Sequence, residues 1–146
     1  MGPRAPGSNV ARLTLDSMYH FTALVTLLSL MFYFYTSVGV ARARAKYGIK
    51  APAIAGNPDF ERAYRVQMNT LEWMPIFLPA IWLASIYVSD IWAALVGVVW
   101  IVGRALYLHG YTQAAEKREL GFSTQAIATG VLWLSALIGV VQAILH

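Results

Sequence analysis

Two sets of polar side chains interrupt an otherwise apolar sequence, and their spacing puts each set on one side of a helix. In the stretch NPDFERAYRVQMNTLE, Arg62, Arg65, Asn69 and Glu72 recur at helical steps. At about 100° per residue they fall within roughly 80° of one another. Downstream, Arg104, Tyr107, Tyr111 and Arg118 form a second stripe, spread over roughly 60° of the wheel. Both stripes adjoin apolar runs, and a polar face entering hydrocarbon is costly unless something polar meets it. Arginine is in excess: Arg62, Arg65, Arg104 and Arg118 face only Glu61 and Glu72, with Arg44 on the loop side. Surplus guanidinium at the end of a helical cleft fits a bound anion with carboxylates, and Glu72 among them fits a ligand that also carries an ammonium. The plainer alternative is a set of ion pairs fixing helix register, with the tyrosines as interfacial belt residues. For Glu61, Arg62 and Arg104 that plainer reading is preferred. Glu72 is then the expected partner of Arg104, at comparable depth on a neighbouring antiparallel helix.

The elements that must hold these stripes follow from composition. The chain has 146 residues, 58% hydrophobic and 12% charged, and a mean hydropathy of +0.56. A water-facing surface is normally about a quarter charged residues or more, so the class is membrane-embedded. Phe21 to Val40 carries no charge and is long enough to cross about 30 Å of hydrocarbon. It is longer than a signal-peptide core and basic residues follow it, so it reads as a first span. Ala41 to Pro58 reads as a basic loop punctuated by Gly48, Pro52, Gly56 and Pro58. Asp59 is expected to cap a second helix running to about Val88, with Pro75 and Pro79 as tolerated kinks. Ser89 and Asp90 turn tightly into a third helix, Ile91 to about Arg118. Gly121 and Ser123 mark the next turn, before a charge-free fourth span from Phe122 to Leu145. With no repeat and no dividing linker, residues 1–146 are expected to form one all-α, up-down, four-helix transmembrane domain, with residues 1–16 as an exposed irregular tail. Arg42, Arg44, Lys46 and Lys50 precede the second span, and Lys117 and Arg118 precede the fourth. The positive-inside rule makes both basic loops cytoplasmic and both termini external, despite Arg4 and Arg12 in the tail.

Several chemistries are excluded or weakened. There is no cysteine, hence no disulfide framework and no cysteine nucleophile, and any thiol must come from a ligand. The net charge of +4 does not read as a nucleic-acid footprint, because the basic residues sit at span ends rather than on a solvated face. The histidines are scattered and the carboxylates face arginines, so no metal site is expected. His20 and His109 have no catalytic partner nearby in sequence. Tyr19, Trp92 and Trp133 read as belt residues. A transporter would want broken helices or a polar path across the bilayer, whereas these polar groups cluster toward one face.

The run NPDFERAYRVQMN-LEWMPIFLPAIWLA, with GRALYLHGYTQAAEKR downstream, closely resembles the MAPEG superfamily of membrane-associated proteins in eicosanoid and glutathione metabolism, and within it the branch of microsomal glutathione S-transferase type 2 and leukotriene-C4 synthase. The similarity runs from about Ser37 to Gly121. It implies a left-handed four-helix bundle assembled as a homotrimer, binding glutathione between adjacent subunits near the cytoplasmic surface. By position, Arg65, Asn69, Glu72, Tyr107 and Tyr111 match glutathione contacts from one subunit, and Ser37, Arg44 and Gln67 match contacts from its neighbour. Arg118 matches the arginine that activates the glutathione thiol. The implied activity is a transferase acting on hydrophobic electrophiles that arrive through the lipid, with a possible peroxidase side activity. Glutathione would be the co-substrate and no metal would be required. Trp73 stands where the eicosanoid-conjugating members have a tyrosine, and Ala45 replaces an arginine near the lipid substrate. Both departures favour a broader transferase over a dedicated leukotriene synthase. The chief alternative is a non-enzymatic lipid-presenting protein, like the lipoxygenase-activating member of the superfamily, but that member lacks the arginines corresponding to Arg65 and Arg118. The compact loops favour a bacterial inner membrane over the endoplasmic reticulum.

Overall fold

The computed structural model describes residues 19–146; the expected tail, with Arg4 and Arg12, lies outside the described residues. Four long helices account for most of it: α1 (His20–Tyr47), α2 (Pro58–Tyr87), α3 (Asp90–Gln113) and α4 (Glu119–Leu145), the last preceded by a 3-10 turn, Ala115–Arg118. All four are long and apolar enough to cross a membrane, since about 20 residues suffice for the hydrocarbon core.

The helix ends show where local chemistry departs from the expected boundaries. α1 does not stop at Val40 but runs on through ARARAKY to Gly48, whose positive φ of 68° ends it while its N–H bonds the Arg44 carbonyl. Nothing in that segment breaks a helix: alanine, arginine and lysine are strong formers, and cations suit the negative end of the helix dipole. Arg42, Arg44 and Lys46 are therefore helical rather than in a loop. At the start of α2 the cap is Asn57, not Asp59. The Asn57 side chain accepts from the N–H groups of Asp59 and Phe60 at 2.9 and 3.2 Å, and Pro58 takes the first helical position, where its missing N–H costs nothing. Pro75 and Pro79 sit inside a helix that remains continuous.

The topology is fixed by contacts at the ends. The Asp90 carboxylate, at the first position of α3, accepts from the N–H groups of Phe21 and Thr22 at 3.1 and 2.8 Å. It thus caps the start of α1 from another helix, and α1 and α3 begin at the same end. A Cβ on Gly139, late in α4, would meet Tyr87 at the end of α2, so α2 and α4 both finish at that end. α1 packs on α2 and α3, and α4 packs on the same two helices. α1 and α4 therefore occupy opposite sides of the bundle.

The interior is built from rings and small residues. Phe77 and Trp100 stack with centroids 4.0 Å apart, and Ile81, Leu132, Ala84 and Ala93 close around them. Gly97, Gly103 and Gly121 bring helices close: a Cβ at Gly103 would lie 2.7 Å from the Gln125 backbone N, and one at Gly121 would strike the backbone of Tyr107. Such small-residue contacts are how helices associate in lipid, where apolar burial supplies no drive. The outside is correspondingly apolar, with Phe34 and Ile127 each 67% exposed.

Two expectations fail near the α3–α4 junction. α3 ends at Gln113 rather than continuing to Arg118, because Ala114 is extended (φ −159°, ψ 143°) and the chain doubles back so that the Lys117 carbonyl lies against Gly110. Only a residue without Cβ permits that approach. Gly121 is not in a turn but inside α4, which begins at Glu119. Arg118 thus leaves the α3 stripe and stands at the head of α4.

Candidate functional site

At the end of the bundle opposite Asp90, residues from α2, α3 and α4 enclose a cleft of about 420 Å³ lined by Arg65, Asn69, Tyr107, Arg118, Glu119 and Phe122, with Ser123 beside them. Behind the lining residues Asn69 and Tyr107 lies Arg104, which is fully buried. The guanidinium donates to Asn69 Oδ1 at 3.0 Å and to Thr70 Oγ1 at 2.6 Å. It also lies 4.4 Å from the centroid of the Tyr107 ring, a favourable cation–π placement. Above that ring, Tyr107 and Tyr111 stack at 5.5 Å, and the Arg118 guanidinium sits 5.7 Å from the Tyr111 ring. A continuous pile of cation, ring, ring and cation thus runs from buried Arg104 to exposed Arg118.

The expected Arg104–Glu72 ion pair does not form. Arg104 takes neutral oxygens one helical turn nearer the basic end, and exposed Glu72 instead accepts from Asn69 Nδ2 at 3.2 Å. Asn69 is consequently oriented from both sides, its oxygen toward Arg104 and its amide N toward Glu72. Among the described residues the only ion pair joins Arg62 to Asp59, one helical turn apart. Glu61 is not ion-paired either; its Oε1 accepts from the Gly56 N–H at 2.9 Å, tying the loop to the start of α2.

Arg65 and Arg118 are both exposed, and neither has a carboxylate within ion-pair distance among the described residues. Two guanidinium groups converging on a partly enclosed recess make it strongly attractive to carboxylate anions, since arginine keeps its charge and presents paired donors. Glu119, Phe122 and Ser123 were not anticipated as lining. Glu119, Phe122 and Ser123 recur at steps of three and four from the head of α4, so a single face carries them once α4 is known to begin there. Trp73, lacking a hydroxyl, packs edge-on against Phe122 with centroids 5.8 Å apart and forms part of the apolar wall beneath.

The remaining candidates lie elsewhere. Gln67 Nε2 donates to Ser37 Oγ at 3.1 Å, joining α2 to α1. Gln67 is two residues from Arg65, roughly 200° around α2, so the two point to different sides. Arg44 donates to the Ala53 carbonyl at 2.7 Å and covers the Phe60 ring at 4.8 Å. Ser37, Gln67 and Arg44 therefore belong to the α1–α2 side and not to the cleft of the same chain. Below the cleft, on the α2–α4 side, an apolar groove of about 500 Å³ runs past Pro75, Pro79, Leu83, Trp133 and Val140. Among the described residues no cluster of His, Asp and Glu is arranged to hold a metal ion.

The chain is similar to known proteins over most of its length. Residues 22–138 match the MAPEG family. A relative from Synechocystis, itself uncharacterised, is 49% identical over 118 residues, covering 81% of this chain and 86% of the relative. Microsomal glutathione S-transferase 2 of Homo sapiens is 41% identical over 117 residues, covering 80% of this chain and 78% of that protein. Leukotriene C4 synthase of Cavia porcellus is 38% identical over 117 residues, with the same coverage.

Proposed function

The chain belongs to the MAPEG family, and from that premise we propose that it is a membrane-bound glutathione transferase, acting as a homotrimer on hydrophobic electrophiles. The observation that carries this reading is the pair of unpartnered guanidiniums, Arg65 and Arg118, converging on one cleft beside Tyr107 and Asn69. Glutathione has two carboxylates, one ammonium and the thiol that this cysteine-free chain lacks. Arg65 and Asn69 hold carboxylate and amide groups of the tripeptide, while exposed Glu72 and Glu119 receive its ammonium. Ser37, Arg44 and Gln67, on the far side of the bundle, complete the site from the adjacent subunit.

Arg118 is the catalytic residue. A model thiol ionises near pH 8.5, and a guanidinium within hydrogen-bond reach favours thiolate over thiol, the more so where lipid lowers the dielectric. The thiol proton leaves to water, and Tyr111, stacked under the Arg118 guanidinium, donates its hydroxyl hydrogen to the sulfur or a ligand carboxylate. The thiolate then attacks carbon, forming a thioether and expelling halide from an aryl halide, or adding to the β-carbon of an enal, whose enolate takes a proton from water. With a lipid hydroperoxide, two glutathiones are oxidised to the disulfide as the peroxide is reduced to alcohol and water. The apolar α2–α4 groove opening below the cleft supplies a path for an electrophile dissolved in the bilayer. The basic ends face the cytoplasm, and the cyanobacterial relative supports a bacterial membrane.

The test is turnover by the purified protein in phospholipid vesicles with glutathione and a generic aryl halide. Wild type forms the thioether; Arg118→Ala, which removes one positioned cationic donor, loses about 10²–10³-fold in kcat while still binding glutathione. A wild type inert toward aryl halide, enal and hydroperoxide alike would remove the enzymatic reading and leave lipid presentation.

A further inference from the structure

A second groove lies on the opposite side of the bundle, along the seam of α1 and α3. Its upper part, about 500 Å³, is bounded by Gly39, Arg42, Leu108, His109 and Thr112. Its lower part, about 470 Å³, is bounded by Leu28, Met31, Val98 and Val102. Phe32 and Tyr35 line both parts, so the two adjoin end to end along one seam on the outside of the bundle.

Its chemistry is graded from end to end. At the basic end stand the exposed Arg42 and His109. Gln113 Nε2 lies 2.8 Å from His109 Nε2, and Lys117 Nζ, brought back by the turn after α3, donates to Gln113 Oε1 at 3.1 Å, so polar groups continue along the rim. Among the described residues, no carboxylate pairs with Arg42, His109 or Lys117. The other end is aliphatic. From Leu28 to Arg42 is fourteen helical steps, or about 21 Å of rise. One leaflet has about 15 Å of hydrocarbon and a further 5–7 Å of headgroup, so the groove matches one leaflet in length, with its charge at headgroup level and its apolar part reaching the midplane.

We propose that this groove binds a glycerophospholipid with an anionic headgroup, the phosphate and headgroup charge lying against Arg42 and His109 and one acyl chain lying over Phe32, Met31 and Val102. Basic recesses between membrane helices take anionic lipid in this manner. The groove remains open in the proposed trimer: Ser37 and Arg44, which face the neighbouring subunit in that assembly, lie roughly 160° around α1 from the face bearing Tyr35, Gly39 and Arg42. Gly39 is the means of testing it. A Cβ there meets nothing within 4 Å, so a large side chain enters the groove without disturbing the backbone.

The experiment is native mass spectrometry of delipidated protein in mild detergent, titrated separately with phosphatidylglycerol and phosphatidylcholine. Wild type takes one tightly held phosphatidylglycerol per chain in preference to phosphatidylcholine. Arg42→Gln together with His109→Gln weakens phosphatidylglycerol binding, by about fivefold for the loss of the Arg42 charge alone, and abolishes the preference. Gly39→Phe removes the tightly held adduct of either lipid while circular dichroism shows unchanged helix content. Equal wild-type affinity for the two lipids, a preference surviving the double substitution, or an adduct surviving Gly39→Phe would each overturn the proposal.

Discussion

Replacing Gly121 with alanine probes how tightly the cleft depends on the approach of α3 and α4. The added Cβ would lie 2.6 Å from Tyr107 Cα and 2.7 Å from the Gly103 carbonyl oxygen, and closer still to the Tyr107 N. All three are backbone atoms, so no rotamer change relieves the clash. Ordinary contact begins at 3.4 Å, so the 2.6 Å at Tyr107 Cα alone demands an opening of about 0.8 Å, and the still closer Tyr107 N demands more. Arg118 lies three residues before Gly121, Phe122 and Ser123 directly follow it, and Tyr107 is itself the residue struck. The displacement therefore enters the cleft from both walls. Misplacement of reacting groups by about 1 Å costs on the order of 10²-fold in rate, and overpacking costs about 1–3 kcal/mol of stability. Initial rates of thioether formation over a range of glutathione concentrations are expected to show kcat/KM reduced about 100-fold, with the helical signal retained. Gly130→Ala is the control on the same helix, because its Cβ meets nothing within 4 Å; its rates should stay within about twofold of wild type. A Gly121→Ala protein as active as Gly130→Ala would refute the dependence of the cleft on this contact.

Arg104→Lys keeps the buried charge but cannot reach Asn69 and Thr70 together from one ammonium, so unfolding in mild detergent should show a loss of about 1.5–3 kcal/mol. Asn57→Ala removes the side chain that accepts two N–H groups at the start of α2 and should cost about 1 kcal/mol by the same measurement, whereas Asp59→Ala, which gives up an exposed ion pair with Arg62, should cost less than about 1 kcal/mol. Asp90→Ala leaves the N–H groups of Phe21 and Thr22 without their acceptor, and hydrogen exchange at the first turn of α1 should accelerate while exchange at the α2–α3 contacts near Trp100 does not change.

The four spans and the two polar stripes, apart from Arg118, which heads α4 instead of continuing α3, were legible in the sequence because hydrocarbon tolerates few charges, so the exceptions stand out. Arg65, Asn69 and Tyr107 meet in the cleft for the reason their spacing implied: each lies on the side of its helix that borders the cleft, Tyr107 buried and Arg65 exposed at its edge. Boundaries were less legible. The end of α3 carries neither glycine nor proline at Gln113, and the break arises from Gly110, a few residues earlier, allowing the returning chain to lie against it. The Asn57 cap did leave a signal, since a proline at the first helical position points to the residue before it, but the acidic Asp59 competed for the same role. The Arg104–Glu72 pairing was unreadable from charge alone. Depth along a helix says nothing of azimuth, and Thr70 and Asn69 present oxygens nearer to Arg104 than the outward-facing Glu72 does. Asp90, read as a turn residue, serves as the cap of a helix some seventy residues earlier in sequence, a contact that only the folded bundle brings about.

The most direct test of the central claim is the ionisation of bound glutathione, followed by the ultraviolet absorbance of its thiolate as pH is varied at saturating protein. In wild type the bound thiol should titrate at least one unit below the value near 8.5 of a model thiol, equivalent to about 1.4 kcal/mol of preference for the anion, and Arg118→Ala should return it toward that value. Bound glutathione that titrates like the free tripeptide in wild type would contradict the account.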